Sequence, residues 1–196
     1  MPRGSDPRDQ RSGWKLGDHA CAPYLGARQR DAIVSAFLSE GLRKHDACVC
    51  VIDDARSATV ESDVKEQLAA SGSATGEGYL DVWEASDIYC PDGAFRSEET
   101  FDRWKRVLDA ADSNGRPIRV AADVSVSTTR GENGMRRLFW YELSCNEVFA
   151  DYPLEVICLY DMERFNGGIL RTIFGTHPLV LLDELLLENP GYVGCR

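Results

Sequence analysis

No apolar run in this 196-residue chain approaches the length of a membrane-spanning helix, and the N-terminus has no apolar signal-peptide core. Those absences lead us to expect a cytoplasmic protein with no membrane contact. Basic residues are few. The 22 Lys and Arg stand against 32 Asp and Glu, a formal net charge of -10. With no basic stripe to neutralise phosphates, direct nucleic-acid binding and docking on anionic lipid are both disfavoured. Cys-x-x-Cys pairs are also missing. The seven cysteines (Cys21, Cys48, Cys50, Cys90, Cys145, Cys158 and Cys195) follow no repeating spacing, so neither a zinc ribbon nor a thioredoxin-type motif is supported. Internal repeats are absent as well.

One further deficit bears on chemistry. The stretch Leu16-Gly17-Asp18-His19-Ala20-Cys21-Ala22-Pro23-Tyr24 precedes a loop read over Leu25 to Arg30 and then an amphipathic helix. That order opens nucleotide-binding α/β folds, where phosphate sits at the helix N-terminus. A phosphate loop needs several glycines and a Lys-Ser/Thr pair. Here the residues are Leu25-Gly26-Ala27-Arg28-Gln29-Arg30-Asp31, with one glycine and no such pair.

The remaining pattern is rich in signal. Segment 1–13 is polar and carries Arg, Asp and Pro, which predicts disorder and leaves 14–196 as one domain. Ile33, Val34, Phe37, Leu38 and Leu42 mark one buried face of a helix over 29–44. Ala47 to Ile52 is continuously apolar and too short for a helix, the pattern of a parallel strand buried on both faces. Further helices are predicted over 58–70, 98–113, 134–149 and 168–174, and strands over 79–83, 118–124, 154–160 and 179–182. Segments 71–78 and 86–96 read as loops. Strands and helices alternate at βαβ spacing. The fold class is therefore α/β: three layers, a mostly parallel sheet with helices on both faces.

Several strands end in carboxylates, namely Asp53-Asp54, Glu84, Asp123 and Asp161. In an open α/β sheet the ligand crevice lies at those carboxyl ends. The carboxylates suit a bound cation or pairing with Arg28, Arg30, Arg130 or Arg164; they also suit strand-end caps. His19 and Cys21, alternate residues on a strand, share a face. They offer half of a metal site that would need His177 or Cys90, or a thiol nucleophile with a histidine base. Cys48, Cys50 and Cys158, inside apolar runs, read as buried reduced thiols. Trp83, Trp104, Phe139, Trp140 and Tyr141 read as core or pocket wall, since no basic residues interleave with them.

Gly17-Asp18-His19-Ala20-Cys21, the helix ending in Gly41-Leu42 and the strand before Asp53-Asp54 together resemble the start of a MEDS domain. The later pieces agree in order: Glu142 and Asn146 on one helix, Tyr160-Asp161 before Arg164-Phe165, Thr176-His177-Pro178, and Glu188-Asn189-Pro190. The resemblance implies a RecA/KaiC-like fold with a degenerate P-loop, used as a sensory domain for small, hydrocarbon-derived molecules. It implies His19, Glu142, Asp161 and His177 as pocket residues, with Cys21 in the same motif. Tyr24 and Asp123 complete the ligand-binding set, with Tyr24 and Trp140 holding an apolar body. His19, Cys21 and His177 are expected to converge at the sheet edge, with Asp161 near the mouth. The expected protein is a non-catalytic sensor in bacterial or archaeal signal transduction or transcriptional regulation. It has no cofactor, signals through a separate regulator or kinase because no output module is appended, and is compatible with a homo-oligomer. Three rivals remain open: a magnesium-dependent nucleotide hydrolase using Asp123 or Glu142, a metal or haem sensor using His19 and Cys21, and a ligand-free adaptor.

Overall fold

A computed structural model describes residues 13–52, 54–70, 79–112, 115–127, 132–165 and 167–194. The strands are β1 (His19–Tyr24), β2 (Ala47–Ile52), β3 (Tyr79–Glu84), β4 (Ile118–Asp123), β5 (Leu154–Asp161), β6 (Leu179–Leu182) and β7 (Leu185–Glu188). The helices are α1 (Gly26–Arg43), α2 (Asp54–Ala70), α3 (Ala85–Tyr89), α4 (Ser97–Ala111), α5 (Glu132–Val148) and α6 (Gly167–Phe174). Asp53, Arg130, Cys195 and the loop read over 71–78 lie outside the described residues, as does the side chain of Asp54.

The strands form one sheet in the order β3-β2-β4-β5-β1-β6-β7, parallel except for β7. Every residue of β1, β2 and β4 is buried, as strands in the middle of a parallel sheet should be; β2 is apolar throughout, whereas β1 buries His19 and β4 buries Arg119 and Asp123. Alternation then divides the core. Cys21, Val49, Val51, Val120, Val156 and Cys158 face α3 to α6, while Ala22, Tyr24, Cys48, Cys50, Ile157 and Leu159 face α1 and α2. At the edge, the Asp81 carboxylate that interrupts β3 stays near water and accepts from Tyr79 Oη and Trp83 Nε1 at 3.1 and 2.8 Å.

Three readings need correction. The stretch 25–30 is not a loop, because α1 begins at Gly26 and only Leu25 separates it from β1. Gly26 makes the turn possible with φ of +69°, in the left-handed region that glycine tolerates. Residues 86–89 of the predicted loop belong to α3, too short for a periodic signal. Leu185–Glu188 is an extra strand, paired antiparallel with β6 through a two-residue turn.

Beneath α1, Arg119 reaches across from β4, fully buried, and fills the space where α1 carries Gly41. A Cβ on Gly41 would lie 2.6 Å from Arg119 Cδ and 2.8 Å from Cys48 Sγ. Neither neighbour can retreat, since both sit in the closed core. Gly41→Ala is expected to destabilise the domain by about 1–3 kcal/mol in denaturant unfolding. A neutral or stabilising result would mean that the helix has room to lift.

The thiols provide a second check on burial. Cys21, Cys48, Cys50, Cys145 and Cys158 are buried, whereas Cys90 is half-buried. Desolvation pushes the Cys48 thiol up to about 12. Among these six, native alkylation should label Cys90 first, with the others reacting only on unfolding. Labelling of Cys48 at the rate of Cys90, read by peptide mass spectrometry, would contradict the strand assignment.

Candidate functional site

Besides the Arg119 cluster beneath α1, two polar groupings lie at opposite ends of the sheet's strands. The first occupies the carboxyl ends, the position of the nucleotide crevice in this class of fold. Asp123 closes β4, and its Oδ2 accepts from Arg30 Nη1 at 3.1 Å and from Tyr24 Oη at 2.9 Å. Arg30 Nε and Nη2 also donate to Asp31 Oδ1 at 3.0 and 2.9 Å. Ser125 N donates to Asp123 Oδ1 at 3.0 Å, and Asp161 N donates to Ser125 Oγ at 3.0 Å. Arg30, Asp31 and Asp123 are all buried.

This network does not fit a nucleoside triphosphate with magnesium. Such a site holds the metal with a free strand-end Asp and wraps the phosphates in a glycine-rich loop. Here a guanidinium and a phenol already occupy the Asp123 oxygen. The one-residue β1–α1 connection leaves no loop to wrap anything.

The second grouping lies on the opposite face, near the amino ends of β1 and β6, under α5 and α6. Helix α5 buries a stripe at Leu138, Tyr141, Glu142 and Cys145, continued by Phe149 just beyond its end, so Glu142 projects into an otherwise apolar interface. There it meets His19, the first residue of β1, Cys158 in the middle of β5, and His177 just before β6. All four are buried, and one ligand-type atom from each falls within 4.8 Å of the others. His177 Nε2 lies 3.5 Å from Glu142 Oε2, and His19 Nε2 lies 3.9 Å from the same oxygen. His19 Nε2 is 3.2 Å from Cys158 Sγ, and the two imidazole centroids are 4.3 Å apart.

The surroundings set both tautomers. Asn146 Nδ2 donates to Thr176 O at 3.1 Å and to Glu142 O and Leu143 O at 3.3 Å each, which turns its Oδ1 toward His19. His19 Nδ1, 3.1 Å from that oxygen, must be the donor. His177 Nδ1 lies 3.0 Å from Ile173 O, which can only accept. Both Nε2 atoms are therefore lone pairs aimed into the cluster. Neither Glu142 oxygen, nor His177 Nε2, has a hydrogen-bond partner of adequate geometry.

Burial dominates the electrostatics. It raises the Glu142 carboxyl to about 7, with the Tyr160 hydroxyl and Cys158 thiol pulling partly the other way. Burial also lowers His19 to about 4, offset in part by Asn146, and holds His177 well below its usual range, helped by the neighbouring His19. The Cys158 thiol is pushed up, again by desolvation first.

The predicted set thus divides. His19, Glu142 and His177 come together. Cys21 shares their face, but Cys158, its register partner on β5, supplies the sulfur instead. Tyr24 and Asp123 belong to the carboxyl-end network. Asp161 ends β5 opposite Tyr24, whereas His19 pairs with Val156, five residues earlier. Asp161 therefore does not sit at the mouth of the histidine cluster; its carboxylate lies 3.4 Å from Arg164 Nε. Trp140 is 60% exposed and walls no core. Sequence reasoning treated Cys158 as an inert thiol, since Ile157 and Leu159 flank it. The signal it missed is the β1–β5 register, which only the fold supplies.

Beside this cluster a cleft of about 790 Å³ opens between α5, α6 and the C-terminal segment, lined by Phe139, Leu170, Arg171, Phe174, Asn189 and Val193 among others. Asn189 Nδ2 donates to His177 O at 2.8 Å and to Phe174 O at 2.5 Å, joining the cleft wall to the histidine turn.

Comparison with known proteins agrees with this architecture. The family described as the methanogen/methylotroph, DcmR sensory domain matches residues 18–178. No curated protein matches the chain. Among solved structures, a KaiC-like protein from the archaeon Pyrococcus horikoshii is similar at 15% identity and a TM-score of 0.55, over 84% of this chain and 71% of that one. An uncharacterised Pyrococcus horikoshii protein, in complex with an unknown peptide, is similar at 13% identity and a TM-score of 0.57, over 88% of this chain and 80% of that one. At such identities the likeness is one of fold.

Proposed function

Because the chain belongs to the MEDS family of sensory domains, we propose that it is a non-catalytic sensor. In this reading it binds a small molecule and signals through a protein partner in transcriptional or two-component-type regulation. The carrying observation is the fate of Asp123. Asp123 stands at the strand end where this class of fold binds nucleotide, but Arg30 and Tyr24 occupy the carboxylate that a hydrolase would spend on magnesium.

The cleft beside α6 is the ligand site in this reading. Its volume suits a small organic molecule, and its walls combine aromatic and aliphatic groups with Arg171 and Asn189. A guest there presses on α6, whose Ile173 carbonyl and Asn189 partner both hold His177. Leu182, Leu185 and Leu187, exposed on the β6–β7 hairpin at a sheet edge, offer a partner an apolar strand.

Thermal shift against short hydrocarbon derivatives tests the reading, alongside calorimetry with magnesium ATP. At least one derivative should raise the Tm of the wild type and fail to do so in Thr172→Trp, which fills the cleft from the exposed side of α6. ATP should give neither saturable heat nor phosphate release above a buffer blank. Magnesium-dependent turnover, or ligand shifts unchanged in Thr172→Trp, would overturn the proposal.

A further inference from the structure

The four buried groups under α5 and α6 pose a problem that the small-molecule reading leaves unsolved. Polar side chains are normally buried only with partners, yet here the Glu142 carboxylate, His177 Nε2 and the nearby Tyr160 hydroxyl make no well-formed hydrogen bond in an apolar layer. We propose that His19, Glu142, Cys158 and His177 form a four-coordinate site for a divalent transition metal of zinc's class.

Three independent observations carry this. The donor set comes first: two imidazole nitrogens, a sulfur and a carboxylate oxygen are the ligand types of tetrahedral zinc, and the hard-oxygen shell of magnesium or calcium is absent from the set. Spacing comes second. A metal at about 2.0–2.3 Å from each donor needs donor atoms roughly 3.3–3.7 Å apart at the tetrahedral angle. Three of the six donor pairs, at 3.2, 3.5 and 3.9 Å, bracket that range, and all six fall within 4.8 Å. The third is orientation. Both imidazoles tie Nδ1–H to a carbonyl oxygen, one of Asn146 and one of Ile173, leaving Nε2 as the free lone pair. That outer hydrogen bond fixes the ring angle and raises the basicity of metal-ligating histidines.

Charge balances as well. Coordination releases the Cys158 proton, and the Glu142 proton where one is bound, to solvent, and thiolate, carboxylate and two neutral imidazoles then neutralise a divalent ion in a place too dry for a net charge. Four protein donors leave no open position, so the ion is an anchor and not a Lewis-acid catalyst. It joins β1, β5, α5 and the turn before β6, elements far apart in sequence. The site stands whether or not an organic molecule occupies the cleft.

The experiment uses the whole chain, stripped by chelator and then titrated with Zn²⁺ against a chromophoric competitor and with Co²⁺ alone. One equivalent should bind, and the Co²⁺ form should show thiolate charge transfer with intense tetrahedral d–d bands. Cys158→Ser should lose the charge-transfer band, while Cys21→Ser, altering the neighbouring sulfur outside the site, should keep it. Asn146→Leu should weaken affinity about 10–100-fold with unchanged circular dichroism. Should Cys158→Ser fail to fold, X-ray absorption of the wild-type zinc form decides instead, with one sulfur and three nitrogen or oxygen neighbours expected. No saturable uptake, a first shell without sulfur, or a thiolate band lost in Cys21→Ser but kept in Cys158→Ser would overturn the assignment. Metal uptake with no response to hydrocarbon derivatives would sink the ligand reading alone, and the reverse would sink this one.

Discussion

Arg119→Met should destabilise the domain by about 3–5 kcal/mol, a large part of what a domain this size possesses. The guanidinium is fully buried and holds three carboxylates: Glu155 at 2.7 Å, and Glu40 and Asp46 at 3.4 Å each. It also donates to Phe37 O at 3.1 Å and stacks over the Phe37 ring at 4.8 Å. Methionine replaces the aliphatic stem but leaves Glu155 and its neighbours desolvated without a counter-charge. Desolvation already raises the Glu155 and Asp46 carboxyls above their usual range even with Arg119 in place. The deficit should therefore shrink as pH falls, because protonation relieves the orphaned carboxylates in the variant. Urea unfolding at neutral and at mildly acidic pH measures both effects. A loss under about 1 kcal/mol, the scale of a surface pair, would show that solvent reaches this cluster.

How far the sequence disclosed this molecule depends on the range of each interaction. Ala47 to Ile52 announced a central strand because burial on both faces demands an unbroken apolar run, and the strand spans those residues. The β6–β7 hairpin went unread because its turn, Asp183-Glu184, lacks the glycine or asparagine that usually marks one; Asp183 itself takes the left-handed conformation at φ of 53°. Arg30 looked like the end of a loop, since nothing local tells a helix-start arginine bound for β4 from one bound for solvent. The same limit applies to the buried cluster. His19 and His177 stood out in the sequence itself as partners for a metal site, and Glu142 through the family resemblance. Cys158, 139 residues from His19, became its neighbour only when β5 paired with β1. Glu142 does carry a local clue, a charged residue on the apolar stripe of α5, which helices avoid unless the charge has work to do.

That charge yields the second large effect, measured on chelator-stripped protein. Glu142→Gln should be more stable than the wild type at pH 8 and close to it at pH 5. Burial raises the folded Glu142 carboxyl from its ordinary 4.5 to about 7. A carboxyl raised on folding contributes stability below its unfolded pKa and loses it as pH rises through the folded value. Between pH 4.5 and 7 the wild type should thus fall behind the variant by about 3 kcal/mol, at roughly 1.4 kcal/mol per unit. Among the described residues, the titratable groups around Glu142 are His19 and Cys21 from β1, Tyr89 from α3, Cys158 and Tyr160 from β5, His177 from the turn before β6, and Tyr141 and Cys145 on α5 itself. The thiols and phenols stay protonated throughout this window, and the imidazoles titrate in both proteins, so the difference reports Glu142. Equilibrium unfolding from pH 5 to 8 gives that difference directly. A flat difference would mean that the carboxylate is solvated or already compensated. Zinc, if it binds as proposed, should reverse the order at pH 8, because the ion stabilises the ionised carboxylate and has less to bind in the amide.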